Sequence, residues 1–196
     1  MYKFSVVLFL FFVSVSTLDA QDRLFELSVR GSGLANVKQH DKGYSGIGIN
    51  TEFLYFIKPK IGVGIFYSRS LDTFGNSYFN EDVDGNFEFQ MYGVAAQATT
   101  NRSRHVRVYA TLRFFKAALV HHYPTYNFSI GESGFGYSGG IGLTFRFSDT
   151  FGFNLFEVNY VGLSNNFEYT KTLNNGKSPA GFQIQSGLVF KIRKRK

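Results

Sequence analysis

Two adjacent histidines, one serine and a set of interleaved charges are the residues whose types and spacing bear on chemistry. His121 and His122 are neighbours, and on an extended chain neighbouring side chains point to opposite faces, so the pair does not readily chelate one metal ion. Ser164 precedes Asn165, with Gly162 two positions before it. A serine hydroxyl becomes a nucleophile only beside a base, and the local sequence supplies none. The absence of Cys removes disulfides, zinc–thiolate sites and thiol catalysis. With no phosphate-binding glycine loop either, no cofactor is expected. Glu26, Arg30, Glu52, Glu88, Arg107, Arg113, Arg146 and Glu157 are a different matter. These four acids and four bases alternate with apolar residues along the chain, and enclosed together they would neutralise one another.

What could enclose them is read from the elements. Lys3, an apolar run from Val6 to Val13, Ser14, Ser16, Thr17 and then Ala20-Gln21 follow the order of a secretory signal peptide. Residues 1–20 are therefore expected to be the signal and residues 21–196 the mature domain. The apolar run is too short to span a bilayer as a helix. Lys3 and Asp19 leave together, so the mature chain keeps the formal charge of +7. Export, and the lack of a basic helix, speak against nucleic acid as a partner.

The mature chain reads as all β. Aromatic residues make up 18% of the chain, with 21 Gly, 3 Pro and 18% charged residues, a composition of β-structure and not of disorder. Period-two alternation recurs in eight segments, and no window of helical length carries a 3.6-residue stripe. Phe25, Leu27 and Val29 alternate with Glu26, Ser28 and Arg30; Ile47, Ile49, Thr51 and Phe53 with Gly48, Asn50 and Glu52; Ile61, Val63, Ile65 and Tyr67 with Gly62, Gly64, Phe66 and Ser68. Further on, Phe87, Phe89 and Met91 oppose Glu88, Gln90 and Tyr92, and Val106, Val108, Leu112 and Phe114 oppose Arg107, Tyr109, Thr111 and Arg113. The sixth segment sets Phe135, Tyr137, Ile141, Leu143 and Phe145 against Gly136, Ser138, Gly140, Gly142, Thr144 and Arg146. In the seventh, Phe156, Val158 and Tyr160 oppose Glu157 and Asn159, with Phe153-Asn154-Leu155 out of phase, which a β-bulge would repair. The eighth opposes Phe182, Ile184, Leu188, Phe190 and Ile192 to Gln183, Gln185, Gly187 and Lys191.

Connections after the second, fourth and sixth segments are short, and those after the third, fifth and seventh run to a dozen or so polar residues, including 71–85 and 121–133. An even-stranded meander with short turns at one end and long loops at the other is the pattern of an eight-stranded antiparallel up-and-down transmembrane barrel. A soluble barrel would turn its apolar faces inward. Here those faces are crowded with Phe and Tyr while the opposing faces are rich in Gly, and an eight-stranded interior has little room for rings. The sequence therefore predicts rings toward lipid and the eight charges in a closed lumen. Lys58, Lys60, Arg102, Arg104, Arg193, Lys194, Arg195 and Lys196 fall at the short-turn end, expected to be periplasmic, where they could meet anionic headgroups.

The signal ending Ala20-Gln21, the glycine-alternating strand Gly134 to Phe147 and the closing strand Ala180 to Ile192 carry a resemblance to the small bacterial outer-membrane barrels of the OmpA-barrel and OmpX type, in particular the outer-membrane β-barrel domain proteins of Bacteroidetes. It departs from them at the C-terminus, where Ile192 is followed by four basic residues and Phe190 stands in for the usual terminal aromatic. The resemblance implies an integral, monomeric outer-membrane protein, inserted by the barrel assembly machinery and in contact with outer-membrane lipid and lipopolysaccharide. Family members include adhesins, membrane-stabilising proteins, porin-like barrels and a few lipid-modifying enzymes. A lipid A deacylase of that group places its catalytic His two residues before the Ser, a position that is Gly162 here. The reading that results is a non-enzymatic barrel with a structural or adhesive role. A lipid-modifying enzyme and a soluble ligand-binding barrel are the alternatives.

Overall fold

The computed structural model describes residues 24–36, 45–76, 83–100, 105–123, 126–164 and 180–193. They form eight strands, β1 (Leu24–Asn36), β2 (Ser45–Lys58), β3 (Ile61–Asn76), β4 (Val83–Thr99), β5 (Val106–Tyr123), β6 (Phe128–Arg146), β7 (Phe151–Leu163) and β8 (Ala180–Arg193). Each strand pairs antiparallel with the next, and β8 pairs back onto β1, closing the barrel. Closure satisfies every strand without leaving an open edge, the condition for sheet structure in hydrocarbon.

Register sets the shape. From Leu24 the path along paired residues runs through Phe56, Gly62, Gln97, Thr111, Gly140, Asn159 and Gln183, and it returns to β1 at Leu34. A shear of ten residues over eight strands inclines them by roughly 40° to the barrel axis. On β6 the outward residues Phe135, Tyr137, Ile141 and Phe145 are exposed, and the stretch they bound covers about 25 Å along the axis at such a tilt, the height of an outer-membrane apolar band.

The outward face carries this band. Ile49, Phe53, Ile65, Val94, Leu112, Ile141 and Ile184 are all exposed large apolar side chains. At the short-turn end Phe145, Phe147, Phe151 and Phe190 follow one another with ring centroids 5.2, 5.7 and 5.6 Å apart, and Phe25 touches Phe53 and Tyr55. Toward the loops, Tyr67, Tyr92, Tyr137 and Tyr160 are exposed, with Tyr160 5.7 Å from Phe182. Two aromatic girdles thus bound the apolar band.

Strong coiling at this small radius requires glycine at particular inward positions. A Cβ at Gly64, Gly93 or Gly187 would run into the carbonyl oxygen of Phe53, Phe114 or Val29 on the adjacent strand. Glycine kinks of this kind let a wall bend toward closure. Gly93→Val is expected to cost about 1–3 kcal/mol or more, whereas Gly33→Ala, with nothing within 4 Å, is expected to leave denaturant unfolding of the barrel almost unchanged. Equal midpoints for the two variants would refute this account.

The β7 bulge anticipated from phase is present. Register shifts between Asn154 and Glu157 on β7, and Leu155 and Phe156 are both exposed, which returns Glu157 to the interior. Two other expectations require correction. The stretches 71–85 and 121–133 are largely strand, since β3 runs to Asn76, β4 starts at Val83, β5 runs to Tyr123 and β6 starts at Phe128. Phe128 pairs with Tyr123, and Asn127 takes a left-handed conformation (φ 49°) at the tip of this hairpin. The second correction concerns β4. Phe89 and Met91 are buried inside, with Ala95 and Gln97, and Tyr92 is exposed outside, so Glu88 faces outward and not into the lumen.

Candidate functional site: a charged lumen

Seven of the eight charges expected in the lumen are buried: Glu26, Arg30, Glu52, Arg107, Arg113, Arg146 and Glu157. They stack in tiers. Nearest the short turns, Arg107 on β5 donates from both terminal nitrogens to the two oxygens of Glu26 on β1, each at 2.6 Å. β1 and β5 lie opposite each other in an eight-stranded ring, so this bidentate fork is a strut across the lumen. Arg146, also buried, comes from the last residue of β6.

The middle tier joins two arginines to two glutamates. Arg113 donates from Nε to Glu52 at 2.7 Å and from Nη1 to Asn159 at 2.9 Å; its Nη2 lies 2.7 Å from Glu157 without hydrogen-bond alignment. Arg30 donates to Glu157, to Glu52 at 3.2 Å and to Gln185 at 3.3 Å. Glu157 also accepts from the Tyr109 hydroxyl at 2.8 Å and from Thr111 at 3.2 Å. Tyr109 accepts in turn from Asn154, and its ring lies under the guanidinium groups of Arg30 and Arg107 at 6.0 and 5.8 Å. Tyr109 thereby ties the two tiers together, and its ring fits because Gly142 opposite has no Cβ to occupy the same space. The cluster draws on β1, β2, β5 and β7, and each of its four charges meets two of opposite sign.

Above and beside this floor the interior is partly apolar, among buried Ser32, Asn50, Ser68, Ser70, Ser138 and Gln183, and that apolar share is one the sequence did not lead one to expect. Phe66, Phe89, Met91, Phe115, Ala117, Leu119 and Val161 form part of one buried cluster. Phe66 meets Phe115 edge-on at 5.8 Å and underlies Arg113 at 5.5 Å. Gly136 supplies the space that Phe115 fills. This explains the β4 correction: Phe89 and Met91 complete an interior apolar packing, while Glu88 takes Arg69 on the outer surface at 2.8 Å, together with Gln90. Arg69 is half exposed. Tyr109, Asn159, Gln185 and Thr111 were the working members of the network missed by attention to charge. Their inward positions follow from the same alternation that placed Arg107 and Glu157.

Ser164 and His122 do not come together. His122 contacts Ser129 at 2.9 Å, whereas Ser164 accepts from the backbone of Phe135 at 3.2 Å. The two contacts are six residues apart on β6, about 20 Å of strand. The His121 side chain lies outside what is described. Of the basic end, Lys58 and Lys60 are exposed at the β2–β3 turn, and Arg193 ends β8 opposite Leu24. Arg102, Arg104, Lys194, Arg195 and Lys196 lie outside the described residues.

The chain that forms this closed barrel matches a family model, the outer membrane protein beta-barrel domain, over residues 5–190. The chain belongs to this family. It is an integral protein of the bacterial outer membrane. Among solved structures it is similar to Neisserial surface protein A, at 11% identity, TM-score 0.65, covering 86% of this chain and 97% of that one. OprG from Pseudomonas aeruginosa follows at 10% identity and TM-score 0.64, with 88% and 97% covered. Ail, the attachment invasion locus protein of Yersinia pestis, stands at 15% identity and TM-score 0.55, with 88% and 100% covered. No curated protein matches. At these identities the structural likeness is one of fold.

Proposed function

We propose that this outer membrane β-barrel domain protein is a monomeric, non-enzymatic barrel that acts through its outer hairpins in a structural or adhesive role, with a lumen closed to solutes. The observation that carries the reading is the doubly paired Arg30–Glu52–Arg113–Glu157 cluster, buried to within 2% exposure and reaching across the interior. A closed lumen leaves the outer surface as the place where function is expressed, and the long β5–β6 hairpin is its most extended described element. That Ail bears the name of an attachment protein is in keeping with an adhesive role.

In this reading residues 1–20 are removed on export, the assembly machinery inserts residues 21–196, and lipid and lipopolysaccharide surround the girdles. The short turns face the periplasm, as in other outer-membrane barrels. Two measurements test it. Purified protein in planar bilayers is expected to give no stepwise current, and a steady single-channel conductance would contradict the closed lumen. Cells displaying the protein are expected to adhere to a host-cell or matrix surface, and to lose adhesion when 121–131 is replaced by a short turn. Adhesion that survives the replacement, in a barrel still heat-modifiable on a gel, would remove the hairpin from the proposal.

A further inference from the structure

The exterior is not uniform around the barrel. On the wall made by β3, β4 and β5, outward residues stand in rows fixed by register. Ile65, Val94 and Phe114 form one row across the three strands, and all are exposed. Toward the loops the next row is Tyr67, Tyr92 and Lys116, the third Arg69, Gln90 and Ala118, and the fourth Leu71, Glu88 and Val120. A shear of ten residues spreads about 25 Å of height over eight strands, so each step to the next strand rises by about 3 Å, and two residues along a strand by about 5 Å. Arg69 and Lys116 therefore lie within about 1 Å of the same height and about 12 Å apart, at the loop-side edge of the tyrosine girdle. Lys116 is exposed and pairs with no acid among the described residues. Arg69 donates to Glu88 from Nε, and Gln90 donates to the same carboxylate, which leaves the terminal nitrogens of the guanidinium free to face outward. Elsewhere on the circumference the exposed side chains within about 3 Å of this height are Ile47, Tyr137, Tyr160 and Phe182, none of them charged.

A cation facing hydrocarbon is costly, and long side chains at a bilayer edge carry their charge to the headgroups. Apolar residues continue past both cations. Leu71 lies beyond Arg69 on β3, and Phe135 is the partner of Lys116 on β6; they are 55% and 67% exposed. The two cations are thus set into the rim of the apolar band and not above it. We propose that this wall binds a phosphorylated glycolipid of the outer leaflet. Lys116 and the terminal nitrogens of Arg69 donate to phosphate oxygens, and the row of Ile65, Val94 and Phe114 below lies against acyl chains. Glu88 decides the class of headgroup. A carboxylate beside two cations repels a bare phosphate but accepts from sugar hydroxyls, as the Gln90 carbonyl does. The assignment to the outer leaflet rests on the hairpin end facing outward, as proposed above.

The test uses the full mature protein, folded in a neutral detergent and titrated with bis-phosphorylated lipid A, with the same lipid stripped of its phosphates, and with phosphatidic acid. Native mass spectrometry counts the complexes. The expected result is saturable binding of one lipid A per barrel, about tenfold or more tighter than either comparator. Lys116→Met and Arg69→Met are each expected to weaken it by about tenfold, while the gel shift of the folded barrel persists. If Arg69→Met does not fold, Lys116→Met alone decides. In vesicles of phosphatidylcholine alone, Lys116→Met is expected to unfold at no lower urea concentration than the unaltered protein, because an apolar side chain then replaces a charge facing lipid. A lysine with a merely structural role would lower that midpoint. Equal binding of the stripped lipid, preference for phosphatidic acid, or an unchanged affinity in the variants would overturn the proposal. Orientation is read separately, by labelling Tyr126→Cys on whole cells with a membrane-impermeant maleimide. Labelling is expected, and its failure would remove the outer leaflet as the source of the lipid while leaving the binding measured in detergent intact.

Discussion

Replacing Glu157 by Gln is expected to destabilise the barrel by about 3–5 kcal/mol, the usual loss when one partner of a buried ionic group is removed. Glu157 is fully buried, and its carboxylate meets Arg30, Arg113, Tyr109 and Thr111. Gln keeps the shape but withdraws the charge, so two guanidinium groups are left to share Glu52 alone. The control is Glu88→Gln. Glu88 is also paired with an arginine, but Arg69 is half exposed on the outer surface, and exposed pairs contribute roughly 0–1 kcal/mol. Urea unfolding in lipid vesicles, followed by the shift between folded and unfolded gel bands, measures both. Equal losses for Glu157→Gln and Glu88→Gln would mean that the lumen is wet and that the cluster does not close it.

The contrast between these two glutamates also shows how far the sequence could be read. Alternation located the eight strands and assigned Glu26, Arg30, Glu52, Arg107, Arg113, Arg146 and Glu157 to the interior, because each sits in a strand whose opposite positions are almost all apolar. On β4 the same rule fails. Phe89 and Met91 were assigned to lipid, yet they pack inside against an apolar cluster that includes Phe115 and Leu119, and only the later positions Val94, Ala95 and Gln97 reveal the true phase. A lumen that is partly apolar leaves no strict mark in a hydrophobicity pattern. Its volume is shared out by local pairs such as Phe115 over Gly136 and Tyr109 over Gly142, which are long-range facts of register. The same holds for the ion pairs: that Arg107 takes Glu26, while Arg113 takes Glu52 and Glu157, depends on the shear of ten residues. Strand ends were misjudged for a related reason. Polar residues in 121–133 signal exposure to water, and a hairpin rising beyond the apolar band is as exposed as a loop.

The largest effect outside the lumen is expected from Ile141→Arg. Ile141 is 63% exposed, points outward from β6 and lies near the middle of the band between Phe135 and Phe145. Its inward neighbours Gly140 and Gly142 leave the substituted side chain no route into the lumen, since the spaces beside them are filled by Asn159 and Tyr109. An arginine facing lipid at midplane costs about 2–4 kcal/mol, and the penalty falls to roughly 0–1 near the interfaces. Phe147→Arg, at the short-turn girdle, is therefore expected to be far milder although Phe147 is as exposed, at 61%. The comparison separates the orientation of the barrel from its mere stability. If the outer surface met water, a charge at position 141 would be tolerated as well as one at 147, and the ordering of the two unfolding midpoints in vesicles would vanish. A depth-dependent penalty arises only where the apolar side chains of β6 face hydrocarbon, and it is the exterior belt, more than the ion pairs inside, that this pair of variants puts to the test.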